Sequence, residues 1–574
     1  MGADPSPEFR EHLVFLYGPE EGQRTLARLD ARLARVPPLP EPISPLDQRD
    51  AILITYGDQF QQPGEAPLRT LARFTERFLR GTVSGLHILP FFPYSSDDGF
   101  SVIDYRQVDP ALGSWEEIHN LGRGLRLMFD AVINHISQRS AWFQAFLRDD
   151  PRCRDYFIAL PPDDHTRELL ARVFRPRALP LLTPFQTAAG EKWVWTTFSA
   201  DQIDLNYADP DVLLEIVDIL LEYVSHGARL IRLDAIAFLW KELGTRCLHL
   251  PQTHRVVRLF RSILDWAAPG VQIITETNVP HRDNISYFGN GRDEAQMVYN
   301  FALPPLVLHT FQTGSARALS EWAAGLQASL PSNQVTFFNF LASHDGVGVG
   351  PVRDILSATE VQALVDQALR RGGLVSSRTT PDGGQVPYEL NISYFDAISD
   401  PNADEPGGLQ VRRFLASQSI LLALLGVPGI YIHSLLGSRN WSAGVQQTGR
   451  ARTINREKFS YPDLLGELEQ PGSRRSQVLQ GMRAMLAARA ASPAFDPFGV
   501  QRVLHCGDSV FTLLRASPDG QRQSLCLTNV TNERQQIHPS LPGSWRSLLK
   551  NQRFELENSA VIDLEPYEVL WLEK

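Results

Sequence analysis

Acidic and polar side chains follow directly on several short apolar runs, and their types allow nucleophilic and acid–base chemistry. Asp130, Asn134 and His135 close LRLMFDAVINH, and Arg232 and Asp234 sit in ARLIRLDAI. Glu276 follows in VQIITETN, and His344 and Asp345 end VTFFNFLASHD. A lone aspartate at such a place is ordinarily a helix cap or a loop acceptor. Four such sets, with histidine and arginine among the carboxylates, instead describe an acidic cluster drawn from separate segments. Two carboxyl groups about 5 Å apart can serve as nucleophile and acid/base at an anomeric carbon, with retention through a covalent intermediate. One must then be charged and the other protonated. Arg232 and Asp234 lie two residues apart on an extended run and share a face. The guanidinium is therefore expected to depress the Asp234 pKa, and Glu276 beside an anionic Asp234 to be raised. Metal binding is the alternative use of Asp and His, but no HExxH or similar paired-ligand spacing occurs. No metal and no cofactor is expected.

The elements that must position these residues repeat along the chain. Apolar, β-branched runs occur at 51–58, 85–92, 125–135, 228–236, 271–278, 295–303, 335–345 and 429–437, each followed by a loop and a longer amphipathic stretch. Eight strands alternating with helices predict an α/β fold, a (β/α)8 TIM barrel whose chemistry lies at the carboxyl ends of its strands. A doubly wound sheet is the rival, but no run leads into GxGxxG or a Walker loop. Two intervals are too long for simple crossovers and are expected to build the substrate pocket. The predicted division is a helical N-terminal extension (1–48), barrel (49–133), a B insertion (134–207) and barrel (208–346). A B′ insertion with an acceptor loop (347–400), the last barrel part (401–489) and a small antiparallel C-terminal β domain (490–574) complete it. The proline-rich VPPLPEPISP at 36–45 ends a helix expected over 8–35.

Composition narrows the function classes. With 43% hydrophobic and 21% charged residues the chain can bury a large core, and a net charge of −10 without a basic stripe argues against nucleic acid as a partner. No apolar run reaches the roughly 18 residues of a membrane span. Four scattered cysteines without metal spacing predict a reduced, cytoplasmic setting. The fit of MGADPS to a myristoylation pattern at Gly2 and Ser6 is too short to assign.

DAVINH, IRLDAIAF, ITETN and SHDG, in that order, resemble the four signature segments of the retaining α-amylase superfamily. The resemblance implies that Asp234 is the nucleophile, Glu276 the general acid/base and Asp345 the carboxylate supporting the transition state. It also implies that His135 and His344 bind sugar hydroxyls and that Arg232 holds the nucleophile ionised. From about residue 51 onward the chain is similar to the sucrose phosphorylase group. By that likeness Asp97 binds the far glucose hydroxyl together with Arg456, Phe100 forms the wall under the ring, and Phe198 and Gln202 occupy further pocket positions. Arg177 of RPRALP is implied to contact phosphate, with Tyr388 of VPYELN opposite.

The N-terminal extension, RPRALPLLTPFQ and TTPDGGQVPYELN resemble the glucosylglycerate-cleaving branch of that group. Glu389 stands where the sucrose-type loop has glutamine, and Arg378 is the candidate cation for a glycerate carboxylate. The expected activity is a glycosyltransferase reaction run as phosphorolysis. Its partners are small molecules: a glucoside, inorganic phosphate and glucose 1-phosphate. A homodimer is compatible with the sequence. Competing readings are phosphorolysis of sucrose, sucrose 6′-phosphate or glucosylglycerol, hydrolysis or transglucosylation without phosphate, and non-catalytic carbohydrate binding.

Overall fold

Each of the eight apolar runs contributes one barrel strand in the computed structural model, which describes residues 5–37, 43–177, 179–380, 384–557 and 559–574. The strands are β1 (Ile52–Thr55), β2 (Gly85–Ile88), β3 (Arg126–Ala131) and β4 (Ala228–Leu233), then β5 (Gln272–Thr275), β6 (Met297–Tyr299), β7 (Thr336–Asn339) and β8 (Val427–Tyr431). They pair in parallel and in chain order, and β8 closes on β1. Their apolar residues are buried toward both the barrel interior and the surrounding helices, as continuous rather than alternating hydrophobic runs require.

Register does much of the positioning. Arg232 is opposite Asp130 on β3 and Ile274 on β5, and Leu233 is opposite Thr275. Asp234 and Glu276 therefore leave neighbouring strands at equivalent positions, about one inter-strand spacing of 4.8 Å apart along the backbone.

Two insertions rise from the carboxyl ends. After β3, His135–Ser137 pairs antiparallel with Gln202–Asp204, and Ala159–Leu160, Leu182–Thr187 and Gly190–Trp195 form a small sheet. After β7, Val347–Gly348, Gln385–Asn391 and Leu374–Thr379 form another. Beyond the helix Arg474–Ala491 the chain folds into a six-stranded antiparallel sheet and a two-stranded one. Ala178 of RPRALP, Pro381–Gly383 of the TTPDGG segment, residues 38–42 of the proline-rich stretch and Gly2 lie outside the described residues.

The helix expected over 8–35 is not continuous. The segment α1 (Ser6–Leu33) breaks at Gly18, with φ 80° and ψ 171°, followed by Pro19. A Cβ on Gly22 would lie 2.8 Å from the Leu13 backbone, a proximity that nine residues of straight helix would exclude at 1.5 Å rise each. The two halves fold back as a hairpin. They pack on α2 (Pro210–Ser225) and α3 (Pro251–Ala267) through Phe9, Leu13, Leu26, Leu29 and Leu33. Ion pairs from Arg28 to Asp211 and from Arg32 to Asp218 accompany them. No helix among the described residues is long and apolar enough to cross a membrane.

Candidate active site

A cavity opens at the carboxyl ends of the strands. At its floor the Arg232 guanidinium donates to Asp234 Oδ1 at 2.8 Å and to Asp130 Oδ1 at 2.5 Å, and reaches Glu276 Oε2 at 4.0 Å. Asp130 Oδ2 is in turn 2.8 Å from His87 Nε2. Ala235 adopts the left-handed conformation, φ 49°, and its N–H donates to Glu276 Oε2 at 3.0 Å. A non-glycine residue held there stores strain that persists only where its surroundings over-determine it. Here it aims a backbone donor at the second carboxylate.

The electrostatics differ from the expectation at one residue. Burial raises Asp234 well above the ordinary carboxylate range, and the opposing pull of Arg232 does not overcome it, because the nearby charges of Glu276, Asp130 and Asp345 add to the rise. Glu276 is raised as expected, by burial and by Asp345, against Arg232 and the Ala235 N–H. Arg232 is shared between Asp130 and Asp234, and its pull on Asp234 is outweighed by burial and the neighbouring carboxylates. Of Asp234 and Glu276, Asp234 at 2.8 Å is the carboxylate whose anion this guanidinium favours more, Glu276 lying 4.0 Å away. Asp345 is held well below the ordinary range: burial opposes this, but Arg452, His344 and Arg456 outweigh it.

The walls are built from the neighbouring loops. Phe100 stacks on His344 with ring centroids 4.6 Å apart. His135 Nε2 donates to the Phe100 carbonyl at 2.9 Å while Nδ1 accepts from the Asn134 amide at 3.3 Å. That pairing describes a neutral ring, in line with its pKa lowered by burial. Gln202 donates to the same carbonyl at 3.0 Å and to Asp97 Oδ2 at 3.3 Å. Behind this wall the buried Lys241 ammonium bridges Asp204 at 2.7 Å and Asn134 at 2.9 Å. Asp204 also accepts from the Thr197 N–H at 2.6 Å. One cation thereby ties together the segments carrying His135, Phe198 and Phe238.

Asp97, Phe100, His135, Phe198, Gln202, Asp234, Glu276, His344, Asp345, Arg177 and Tyr388 all line this cavity. Arg232, Arg456, Glu389 and Arg378 do not. Arg232 lies beneath the floor. Arg456 lies behind Asp345, donating to the His344 carbonyl at 2.7 Å and pairing with Asp98. Glu389 is buried in a two-point bridge to Arg452, at 2.9 and 3.0 Å. The Arg378 guanidinium rests 5.3 Å from the ring centroid of Phe174.

Residues 81–352 match the family described as alpha amylase, catalytic domain. Over 99% of both chains the sequence is 52% identical to glucosylglycerate phosphorylase of Spirochaeta thermophila and 50% identical to that of Allomeiothermus silvanus. The chain belongs to the α-amylase family and, within it, to the group of the glucosylglycerate phosphorylases. A solved structure, sucrose 6F-phosphate phosphorylase from Thermoanaerobacter thermosaccharolyticum, superposes with TM-score 0.74 at 24% identity, covering 90% of this chain and 98% of that one. At that identity it speaks for the fold alone.

In this member of the family the residue that sequence reasoning missed is Arg452. It lines the cavity, contacts Asp345 at 2.5 Å and clamps Glu389, joining the carboxylate after β7 to the strand that carries Tyr388. Phe174, Pro176, Thr277 and Asn278 were missed as well. The ARTINRE segment places two arginines four residues apart, and nothing in the spacing says which of them faces the cavity.

Proposed function

We propose that this chain carries out the reversible phosphorolysis of 2-O-α-D-glucosyl-D-glycerate, yielding α-D-glucose 1-phosphate and D-glycerate with retention at the anomeric carbon. In the first displacement Asp234 attacks that carbon through Oδ2, since Arg232 engages Oδ1. The bond to the glycerate 2-oxygen breaks, and Glu276 gives its proton to the departing oxygen. In the second, a phosphate oxygen attacks the same carbon, Glu276 takes the phosphate proton, and the Asp234 ester bond breaks. Asp345, kept ionised by Arg452, stabilises the positive charge that develops on the sugar in both steps. Phe100, His135, His344, Asp97 and Gln202 hold the glucosyl unit. Arg177 and Tyr388 receive phosphate, a role suited to a guanidinium fork.

The observation that carries this reading is the joint placement of Asp234 and Glu276 on one guanidinium, with Arg177 and Tyr388 on the same cavity. A disaccharide of glucose with a small acid also suits a cavity closed by aromatic walls better than a polymer would. The four cysteines are all free, which supports a reducing, cytoplasmic setting. The test is release of glucose 1-phosphate from glucosylglycerate, sucrose, sucrose 6′-phosphate and glucosylglycerol, with and without phosphate. Phosphate-dependent release from glucosylglycerate well above the others is expected. Equal glucose release with and without phosphate would replace phosphorolysis by hydrolysis.

A further inference from the structure

Cations without counter-charges gather at the mouth of the cavity. Phe174 lines the cavity, and the guanidinium carbons of Arg246 and Arg378 lie 5.7 and 5.3 Å from its ring centroid. Arg353, from a third segment, donates to the carbonyl of Pro387 at 3.0 Å, one residue before the cavity-lining Tyr388. Among the described residues none of the three forms an ion pair with a carboxylate. Arg353 and Arg246 are close enough to Arg378 that, after burial, their charges lower its pKa.

This gathering is held in place rather than left to loose side chains. The Phe174 N–H donates to the Arg246 carbonyl at 3.0 Å. The next residue, Cys247, is buried with Leu170, Val173 and Trp195 and has φ 48°, and His249 has φ 55°. Non-glycine residues in that region mark a backbone constrained at some energetic cost. Arg378 is fixed by the strand register that sets it opposite Val386. In a chain of net charge −10, unpaired arginines converging on one ring are no by-product of a basic composition. Like charges so placed oppose folding, and an anion relieves them.

We propose that Arg246 and Arg378 on Phe174, with Arg353 beside the strand that carries Arg378, form an oxyanion-capture site at the cavity mouth, which draws in a small carboxylate or phosphate anion before it meets the sugar. The site deepens the phosphorolysis reading and rests on it, because both acceptors of that reaction are anions. Guanidinium groups match the geometry of either oxyanion, and a lined mouth of one sign raises capture rates at low salt.

The test uses the double variant Arg246→Gln/Arg353→Gln of the full chain, both positions being exposed, with neutral α-glucosyl fluoride as donor. Transfer to D-glycerate, to inorganic phosphate and to water is followed at low and high ionic strength. The expected result is a kcat/KM for the anionic acceptor lowered about tenfold at low salt. That gap should close at high salt, and transfer to water should move little. Loss with D-glycerate alone assigns the carboxylate, loss with phosphate alone assigns phosphate, and either supports the site. Unchanged kcat/KM for both anions, or an equal fall for water, overturns it. Should the wild-type chain form no glucose 1-phosphate, the activity reading fails separately. Calorimetric binding of phosphate and D-glycerate to wild type and variant then decides the mouth site by itself: tighter wild-type binding supports it, and equal binding overturns it.

Discussion

The floor and the mouth of the cavity hold charge in opposite ways. At the floor, Asp130, Asp234 and Glu276 surround Arg232, Asp345 and Glu389 share Arg452, and Asp204 meets Lys241, groups that are buried or, for Asp345 and Arg452, about one-fifth exposed. At the mouth, Arg246, Arg353 and Arg378 have no carboxylate partner among the described residues and reach water. Buried charge is tolerated only when it is answered within hydrogen-bond distance. Solvent-facing charge needs no such answer and stays available to a passing anion. The floor is thus built for fixed geometry, and the mouth for attraction.

The largest effect that would break this contrast is at the floor. Asp234→Asn is expected to lower turnover with every donor by at least about 10⁴-fold, since no covalent route survives; stopped assays for glucose 1-phosphate check it. Glu276→Gln is expected to cost about 10²–10⁴-fold with glucosylglycerate, whose leaving oxygen needs a proton. With α-glucosyl fluoride it should cost far less in the first step, which rapid-quench kinetics would read.

Stability sharpens the same comparison. Lys241→Met leaves Asp204 buried without its cation and is expected to destabilise by about 3–5 kcal/mol. Arg246→Gln at the exposed mouth should stay within about 0.5 kcal/mol. Urea unfolding of both variants, compared at equal slope, measures the difference; similar losses would remove the distinction between the regions.

Two pH effects are smaller. In its proposed role as acid Glu276 works only while protonated, and its pKa is raised by burial and then by Asp345. Activity should therefore fall as pH rises through a value above the ordinary glutamate range. In Asp345→Asn, where that negative charge is gone, the alkaline limb of the residual activity should move to lower pH. Asp130 runs the other way: burial opposes it, but His87 and Arg232 lower its pKa from 3.8 to about 2. A depressed carboxylate stabilises the fold above its unfolded pKa and loses that contribution as pH falls through the folded one. Acid unfolding of Asp130→Asn should accordingly be flatter between about pH 4 and 2 than that of the wild type.

Parts of the site were legible because strand periodicity and local order determine them. Two residues along a strand must share a face, so Arg232 and Asp234 could be paired from spacing. The apolar runs, buried on both sides, marked all eight barrel strands. Arg452 was not legible, because the ARTINRE loop has no period to say which arginine turns inward. Neither was the net rise of Asp234: its partner Arg232 is visible in sequence, but the claim of Asp130 on that guanidinium comes from strand register. The hairpin of α1 was not legible: apolar spacing continues across Gly18-Pro19 and predicts one helix over 8–35, and the direction of the returning half is set by what it packs against.

What the sequence by itself determined is the set of reactive residues, their strand-end positions and the barrel that carries them, because local hydrogen bonding and hydrophobic period act over a few neighbouring residues. What only the tertiary structure decided is which charges meet. Asp98 takes Arg456, Glu389 is held by Arg452, and two arginines from distant segments meet unpaired on Phe174 with a third, Arg353, beside the strand of one of them. The physical reason is that electrostatic interaction depends on distance and burial in space, and residues a hundred positions apart acquire both only when the insertions fold over the barrel.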